Sequence, residues 1–274
     1  MLTFESGQTP LVVAGPCVLE DRDFTLTLAE TLRKRVEARG FRFVFKSSFD
    51  KANRTRWGSP RGPGLQDGLR LLEDVRSVVG VPVLTDVHET QQCNAVCEVV
   101  DVVQVPAFLS RQTDLLLAVS EAASLRDRNV NIKKGPFMAP DDVEHVVDKV
   151  KAGGHRQPWI TERGTSFGHH DLVVDYRGFA VMQRHAPLIF DGTHSAQRPA
   201  AAGSQSGGDR RWVPALVRAA VAVGVQGLFL EVHPEPDRAP SDSATSLDVP
   251  LFESVLDDAR RIWNQASSDG RWMR

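Results

Sequence analysis

"LVVAGPC", residues 11–17, is an apolar run that ends in Gly-Pro and then places one of the chain's three cysteines. Seven further runs share its character, because continuous apolar residues give way abruptly to polar ones. They are FRFVFKSS (41–48), VPVLTDVHE (81–89), VVQVPAF (102–108), NVNIKKG (129–135), PWITERG (158–164), PLIFDGTHS (187–195) and GLFLEVHP (227–234). Strands that are buried on both faces have this pattern. The eight runs therefore predict the strands of a parallel sheet.

Helix-like segments alternate with these runs. After the first run, residues 23–39 carry apolar side chains at largely helical spacing, and Gly40 stands where a helix would end. Similar patterns follow at 64–79, 113–125, 140–150, 211–223 and 250–263, whereas 90–99 is short and the crossover after the sixth run is irregular. Alternating strand and helix units predict an α/β protein, here a (β/α)8 TIM barrel that forms a single domain over residues 1–274.

Composition narrows the class of protein. The 274 residues are 41% hydrophobic and 25% charged, which is typical of a soluble enzyme. A formal charge of −2 predicts no nucleic-acid partner. The first ten residues lack a basic start, and the apolar run that follows is too short for a signal peptide or a membrane span, so we expect a cytoplasmic protein without a membrane partner. Three cysteines in so long a chain exclude a disulfide framework and indicate a reducing compartment.

Every predicted strand becomes polar at its carboxyl end. The residues concerned are Cys17, Lys46, Asp86 with His88, Gln104, Lys133 with Lys134, Glu162 with Arg163, Asp191 with His194, and Glu231 with His233. Any one of them alone would be read as a helix cap or a solvated side chain. Active sites of (β/α)8 barrels lie at this end of the strands. The coincidence of all eight positions therefore predicts an active site there.

A metal site is expected where the barrel closes. The eighth strand pairs with the first, so Cys17, His194 and Glu231 should converge, and Asp242 in the loop after the eighth strand could fold back as a fourth ligand. A thiolate, an imidazole and two carboxylates suit divalent Fe, Zn, Co or Mn better than Mg or Ca. Cys93 and Cys97 have no histidine or acid to complete a site, and we expect them to pack in the core.

A cationic cluster accompanies the metal site. Lysine and arginine follow the second, fifth and sixth strands, at Lys46, Lys51, Arg54, Lys133, Lys134 and Arg163. Such groups bind phosphates and carboxylates, with arginine able to bind them bidentately. No glycine-rich nucleotide motif is present, so the sequence favours small anionic substrates over nucleotides.

The motifs resemble one family over residues 11–251. "AGPC", "FVFKSSFDKANR", "RGPGL", "TDVHE", "QVPAFLSRQTDLL", "NIKKGPF", "TERGTSFG", "DGTHS" and "FLEVHPEP" occur in the order and spacing of 3-deoxy-D-manno-octulosonate 8-phosphate synthases. The resemblance implies a (β/α)8 barrel, usually a homotetramer, that condenses phosphoenolpyruvate with D-arabinose 5-phosphate and water. "KANR" separates the chain from the related heptulosonate-phosphate synthases, which typically carry K-P-R-T at this place.

The resemblance also implies roles for individual residues. Members with cysteine after Ala-Gly-Pro belong to the metal-dependent branch, whereas the other branch has asparagine, so the ligands would be Cys17, His194, Glu231 and Asp242. The implied phosphoenolpyruvate site is Lys46, Lys51, Lys133 and Arg163, and the pentose-phosphate site is Asn53 and Arg54 beside the hydroxyl of Thr55. Ser48 is a further predicted substrate-binding residue. Asp86 and Gln104 would line the pocket. Lys51, Lys133, His194 and Asp86 are the predicted catalytic residues, and which of them moves protons stays open between Lys51 and His194.

Several positions depart from the family pattern. After Arg54 the family usually continues Ser-Ser-Ile-His-Ser, whereas this chain reads TRWGSP (55–60), so a different aldose phosphate stays an alternative substrate. Gly192 replaces a common Ala or Val, and His169-His170 replaces a typical Tyr-Asn or Tyr-Asp. The loop at 196–210, rich in Ala, Gly and Ser, is predicted to be a mobile lid.

Two other classes of function compete with the synthase. A hydrolytic or aldolase-type metal barrel would share the ligands but would not need two anion sites. A catalytically silent relative would have lost several strand-end charges, and none is lost.

Overall fold

The computed structural model describes residues 2–5, 8–54, 56–199 and 207–268. Twelve strands are present in this part of the chain: β1 Leu11–Gly15, β2 Arg42–Lys46, β3 Val83–Asp86, β4 Val102–Val105, β5 Asn129–Lys133, β6 Trp159–Glu162, β7 Thr165–Ser166, β8 Leu172–Val173, β9 Leu188–Asp191, β10 Gln197–Arg198, β11 Gly207–Gly208 and β12 Gly227–Glu231. Eight of them match the eight apolar runs of the sequence.

These eight strands close into a barrel in the order β1-β12-β9-β6-β5-β4-β3-β2, and every pair is parallel. Strand β1 pairs with β12 on one side and with β2 on the other, and its Gly15 lies opposite Glu231. The prediction of a (β/α)8 barrel is therefore confirmed. Because all strands run in one direction, the polar residues that follow them meet at one mouth.

Helices surround the barrel. They are α1 Arg22–Glu37, α2 Leu65–Asp74, α3 Cys93–Val99, α4 Thr113–Ser124, α5 Val143–Ala152, α6 Arg177–Met182, α7 Gly192–Ser195, α8 Val213–Val223 and α9 Val249–Ser268. Asp21 caps α1 by accepting a hydrogen bond from the Phe24 amide. The helix therefore begins at residue 22, one residue before the predicted start. Gly40 adopts the left-handed backbone conformation shortly after α1 ends, as expected of a helix-terminating glycine.

Among the described residues, none of these helices has both the length and the apolar character required to cross a bilayer.

Some elements differ from the sequence-based expectation. The barrel strands have only four or five residues, because each run continues beyond its strand into the following loop. The last residues of six of the strands are the polar Lys46, Asp86, Lys133, Glu162, Asp191 and Glu231. The irregular crossover after β6 contains the six-residue helix α6 and the two-residue strands β7 and β8, which pair as a small hairpin. The predicted helix at 64–79 changes after Asp74 to a π-helical turn, Val75–Val79, which ends at Gly80 in the left-handed conformation.

Two apolar layers hold the barrel. The large layer lies between strands and helices and contains the buried Cys93 and Cys97, which confirms that these cysteines pack in the core. The small layer fills the barrel interior with Leu11, Val13, Val44, Leu84, Val102, Trp159, Ile189 and Phe229. Leu2 and Phe4, from the segment before β1, pack against this inner cluster. The Phe4 ring meets Trp159 edge-on at 4.8 Å between centroids.

Candidate active site

A cavity of about 580 Å3 opens at the carboxyl ends of the barrel strands. It brings together most of the residues that the sequence singled out. Its lining includes Lys46, Ser48, Lys51, Asn53, Arg54, Asp86, Gln104, Lys133, Arg163, His194 and Asp242. Thr55, which was also predicted to bind substrate, lies outside the described residues. The size and the polar lining suit two small anionic reactants.

Cys17, Glu231 and Asp242 form a compact cluster of potential metal ligands. One donor atom from each lies within 4.8 Å of the other two. The Cys17 thiol donates to Asp242 Oδ2 at 2.6 Å, although the two residues are 225 positions apart. Burial, together with the neighbouring Asp242 and Glu231, raises the pKa of the Cys17 thiol well above its usual value. A nearby cation would favour the thiolate instead.

His194 lies beside this cluster. Its Nε2 is 3.7 Å from Glu231 Oε1, and its Nδ1 is 2.8 Å from Asp191 Oδ2. Lys133 Nζ also lies 3.4 Å from Nδ1, but Asp191 is closer and a carboxylate only accepts hydrogen bonds, so we place the proton of a neutral His194 ring on Nδ1 and the lone pair on Nε2. Asp191 also accepts from the His194 amide at 2.8 Å, because it caps the short helix α7. Asp191 thus holds both the ring and the backbone of His194, with Nε2 directed towards Glu231.

Asp242 lies in the loop after β12. Its backbone adopts a left-handed conformation with φ of 52°, which is uncommon outside glycine and is best tolerated by Asp and Asn. Its carbonyl accepts hydrogen bonds from the amides of Thr245 and Ser246 at 3.1 and 3.0 Å. The loop therefore holds a turn that places the carboxylate over the barrel mouth.

Two buried lysines are paired with two buried carboxylates. Lys46 Nζ lies 2.9 Å from Glu231 Oε1, and Lys133 Nζ lies 2.6 Å from Asp191 Oδ2. Burial would raise the pKa values of Glu231 and Asp191, but the adjacent cations lower both values below the usual range. Burial lowers the pKa of Lys133, with Asp191 acting against it. Glu231 Oε2, which is buried, has no hydrogen-bond partner among the described residues.

Lys51 lies in the loop after β2, and Asp86 is the last residue of β3. Burial opposes the charge of Lys51, but Cys17, Glu231 and Asp86 raise its pKa above the ordinary value, so it is a cation at neutral pH. Lys51 Nζ donates to Ser48 Oγ at 3.1 Å. Burial likewise opposes the charge of Asp86, yet a hydrogen bond from His88 Nε2 at 3.1 Å lowers the pKa of its carboxyl group.

Arg163 and Arg54 differ in how their guanidinium groups are used. Arg163 is buried, its Nη2 donates to Gln197 Oε1 at 3.0 Å, and its Nη1 has no partner within the part of the chain that the structure describes. Arg54 instead donates to the carbonyls of Pro60 and Pro240 and to Ser241 Oγ. Arg54 thus joins its own loop to the loop that carries Asp242.

Sequence reasoning missed some residues that complete the site. Asp191 and His88 were visible as polar strand-end residues in "LIFDGTHS" and "TDVHE", but no role was given to either. Gln197 and Ser241 gave no signal, because a two-residue strand and an irregular loop carry no pattern from which the contacts of a side chain can be predicted. The predicted lid at 196–210 includes residues 200–206, which lie outside the described residues.

Comparison with known proteins places the chain in a family. Residues 4–266 match the model described as the DAHP synthetase I family. A 2-dehydro-3-deoxyphosphooctonate aldolase of Magnetococcus marinus is 54% identical over 92% of this chain and 86% of its own length. Proteins of the same name from Synechococcus sp. and Syntrophotalea carbinolica are 51% and 49% identical, over 90% and 95% of this chain and 86% and 93% of their own lengths. The chain therefore belongs to the DAHP synthetase I family, alongside relatives named 2-dehydro-3-deoxyphosphooctonate aldolase.

Proposed function

We propose that this chain is a 3-deoxy-D-manno-octulosonate 8-phosphate synthase of the metal-dependent branch. The enzyme condenses phosphoenolpyruvate with D-arabinose 5-phosphate and water, and it releases inorganic phosphate. Its relatives named 2-dehydro-3-deoxyphosphooctonate aldolase carry another name of the same enzyme. The observation that carries the proposal is the position of the Cys17, Glu231 and Asp242 cluster beside a cavity with a cationic lining, because Asp242 belongs to the cluster and also lines that cavity.

Phosphoenolpyruvate is assigned to the inner part of the cavity. Nη1 of Arg163 has no hydrogen-bond partner among the described residues, and Lys133 and Lys46 line the same cavity. These groups would bind the carboxylate and the phosphate of the substrate. Holding two reactants in a reactive orientation supplies several kcal/mol of barrier reduction.

The aldose phosphate is assigned to the outer part, near Asn53 and Arg54. Both residues line the cavity and lie on the loop after β2. Arg54 is already engaged with Pro60 and Pro240, so the phosphate would share a preorganised guanidinium. The altered segment at 55–60 borders this part through Ser59 and Pro60, and it keeps another aldose phosphate as the second candidate substrate.

The residues present fit a divalent metal ion. Cys17, Glu231 and Asp242 offer converging donors, Glu231 Oε2 is buried without a protein partner among the described residues, and Asp191 fixes His194 with Nε2 available. A carboxylate that holds the second nitrogen of a ligating histidine is a common feature of metal sites. The thiolate, imidazole and carboxylate set favours Fe(II), Zn, Co or Mn. When bound, such an ion would orient the aldehyde or the attacking water, or lower the pKa of that water.

The reaction forms one carbon–carbon bond and one carbon–oxygen bond from water, and it breaks the carbon–oxygen bond to the phosphate. The methylene carbon of phosphoenolpyruvate attacks the aldehyde carbon, positive charge develops at the enol carbon, and the water oxygen adds there before phosphate departs. The aldehyde oxygen gains one proton and the water oxygen loses one as it adds, and the second proton of that water leaves with the phosphate as the ketone forms. Lys51, a cation in this cavity, is suited to donate the first proton. Because Asp191 engages Nδ1 of His194, we assign its Nε2 to the metal and not to proton transfer.

The test is phosphate release from phosphoenolpyruvate across a panel of aldose phosphates, each with and without Fe2+, Zn2+, Mn2+ or Co2+. We expect release only when both substrates are present, with the highest kcat/KM for D-arabinose 5-phosphate. Dialysis against a strong chelator should abolish turnover, and added metal should restore it in the wild type but not in Cys17→Ala. Release without an aldose phosphate would instead support a hydrolytic barrel, and full activity after chelation would contradict metal dependence.

The assembly and the compartment are further parts of the proposal. Phe108, Phe137 and Phe167 are each more than half exposed on consecutive loops of the mouth. Exposed apolar side chains on neighbouring loops favour a contact between subunits, in keeping with a homotetramer. All three cysteines are free thiols, in keeping with the cytoplasm. Sedimentation analysis should give the mass of four chains.

A further inference from the structure

The carboxylate of Asp242 is held by two side chains besides Cys17. Its Oδ1 accepts a hydrogen bond from Gln197 Nε2 at 2.6 Å, and its Oδ2 accepts one from Ser241 Oγ at 3.0 Å. Both contacts fix the orientation of a side chain whose backbone already adopts an uncommon conformation.

Gln197 connects Asp242 to Arg163. Its Oε1 accepts from Arg163 Nη2 at 3.0 Å while its Nε2 donates to Asp242. Because a guanidinium only donates and a carboxylate only accepts, the two neighbours together determine which way the amide points. Gln197 is buried, so these contacts are little weakened by water.

Ser241 makes the corresponding connection to Arg54. Its Oγ accepts from Arg54 Nη1 at 2.8 Å and donates to Asp242 Oδ2. Two arginines that line the cavity therefore reach the same carboxylate, each through one neutral side chain.

The small hairpin of β10 and β11 holds Gln197 in place. Gln197 lies opposite Gly208 in this hairpin, and the Asp209 amide donates to the carbonyl of Ala196 at 3.2 Å. Gln197 is thus anchored by backbone pairing as well as by its amide.

We propose that Gln197 and Ser241 are positioning residues that couple metal binding to substrate binding, Gln197 for phosphoenolpyruvate and Ser241 for the aldose phosphate. The inference rests on the proposed function, because it requires an anion on each arginine and an ion at Asp242. An anion that orders Arg163 also orders Gln197 and Asp242, so the metal then meets a prearranged ligand. Linkage makes the effect reciprocal, because the metal must strengthen substrate binding by the same factor.

The experiment measures the Co2+ dissociation constant from the cobalt–thiolate absorption of the metal-free enzyme after Co2+ addition. Each titration is made alone, with phosphoenolpyruvate and with D-arabinose 5-phosphate. In the wild type we expect each substrate to tighten Co2+ binding about tenfold, within the usual range of coupling between sites. Gln197→Met keeps the length of the side chain without its hydrogen bonds, and the effect of phosphoenolpyruvate should fall below about threefold.

Ser241→Ala serves as the matched variant. It should lose the effect of D-arabinose 5-phosphate on Co2+ binding and keep that of phosphoenolpyruvate, which is the opposite pattern to Gln197→Met. Ser241→Thr, which retains the hydroxyl, should restore the wild-type response. Thermal unfolding and circular dichroism establish that each variant is folded.

Each outcome has one meaning. Equal coupling factors in the wild type and both variants, with normal Co2+ binding, would overturn this inference and leave the proposed function intact. Equal losses of both couplings in both variants would also overturn it, since they would indicate a general disturbance of the cavity. Absence of Co2+ binding by the wild type would overturn the metal site and the inference together.

Discussion

The buried carboxylate of Asp191 holds three groups of the site at the end of β9. It lies 2.6 Å from Lys133 Nζ and 2.8 Å from His194 Nδ1, and it accepts from the His194 amide. Removing charge from one partner of a buried ion pair is costly, because the other charge is left uncompensated. Asp191 therefore determines both the direction of the His194 ring and the position of Lys133.

Asp191→Asn tests this role. The amide could still contact His194, but it would no longer select the tautomer with the proton on Nδ1. We expect Co2+ affinity to fall roughly 10–100-fold, as for other carboxylates behind a metal-bound histidine. The measurement is Co2+ titration of the metal-free enzyme.

Asp175→Asn provides the control, because the Asp175 carboxylate pairs with the exposed Arg177, a neighbour in sequence. We expect its Co2+ affinity to equal that of the wild type. Equal affinities for the wild type and Asp191→Asn would contradict the orienting role.

At the residue scale, the sequence predicted those site residues that follow strands. Cys17, Lys46, Lys133 and Glu231 could be placed at the mouth, because a parallel barrel brings strand ends together. Gln197 could not be placed in this way, since its role depends on how a loop folds back over the barrel. The partners of Arg54 were unpredictable for the same reason, because Pro240 and Ser241 lie more than 180 residues away in sequence.

At the element scale, the β10–β11 hairpin depends on glycine at position 208. A Cβ atom there would lie 2.4 Å from Thr245 Cγ2 and 2.8 Å from the carbonyl oxygen of Ala196. Real atoms do not approach so closely, so a larger residue must displace the hairpin or the loop that contains Thr245. Either movement would shift Gln197 relative to Asp242.

Gly208→Ala should therefore reproduce part of the Gln197 phenotype. We expect a weaker effect of phosphoenolpyruvate on Co2+ binding, together with a loss of roughly 1–3 kcal/mol in the free energy of unfolding from overpacking. Co2+ titration and urea unfolding measure the two effects.

Gly168→Ala is the matched comparison. Gly168 has φ of 81°, and no described atom lies within 4 Å of the position that an alanine methyl group would take, so alanine there carries backbone strain without a clash. It should cost about 1 kcal/mol of stability and leave the coupling unchanged. A coupling factor unaffected by Gly208→Ala would indicate that the hairpin does not position Gln197.

The elements themselves were predictable to different degrees. The barrel strands were readable because burial on both faces leaves an apolar run with a sharp end. Helix α6 was not readable, because six residues carry less than two turns of periodic pattern. The β10–β11 pair was missed since each strand has two residues, and β11 consists of glycine alone.

At the scale of the whole molecule, Leu2 and Phe4 cover the end of the barrel opposite the cavity. Phe4 contacts Trp159 edge-on, and the Arg42 guanidinium lies 5.4 Å from the Phe4 ring centre. Phe4→Ala should lower the free energy of unfolding by about 2 kcal/mol, through lost burial and lost ring contacts. Thermal unfolding should show a decrease in Tm of roughly 4–8 °C.

Leu125→Ala offers a comparison for Phe4→Ala, because Leu125 is 79% exposed at the end of α4. Its Tm should stay within about 2 °C of the wild type, as for most surface substitutions. Equal Tm values for all three proteins would show that the segment before β1 contributes nothing to stability.

The thiols of α3 report on global unfolding. Burial raises the pKa of Cys93 to about 11 and that of Cys97 to about 12. At about pH 8 roughly one thiol in a thousand or fewer is then the reactive thiolate, and the fraction rises tenfold per pH unit. We expect iodoacetamide to modify these cysteines only in denaturant, as read by mass spectrometry. Rapid modification of the native protein would show that α3 opens locally.

The filled end of the barrel opposite the cavity also has a consequence for turnover. The inner apolar cluster and Phe4 fill the barrel beneath the cavity, so among the described residues the mouth is the route by which small molecules reach the site. Substrates enter and products leave through this same opening, so a product must leave before the next substrate can bind. A phosphate ion that stays bound in the mouth would prevent the next two substrates from entering. The closed end of the barrel therefore leads us to expect product inhibition by phosphate.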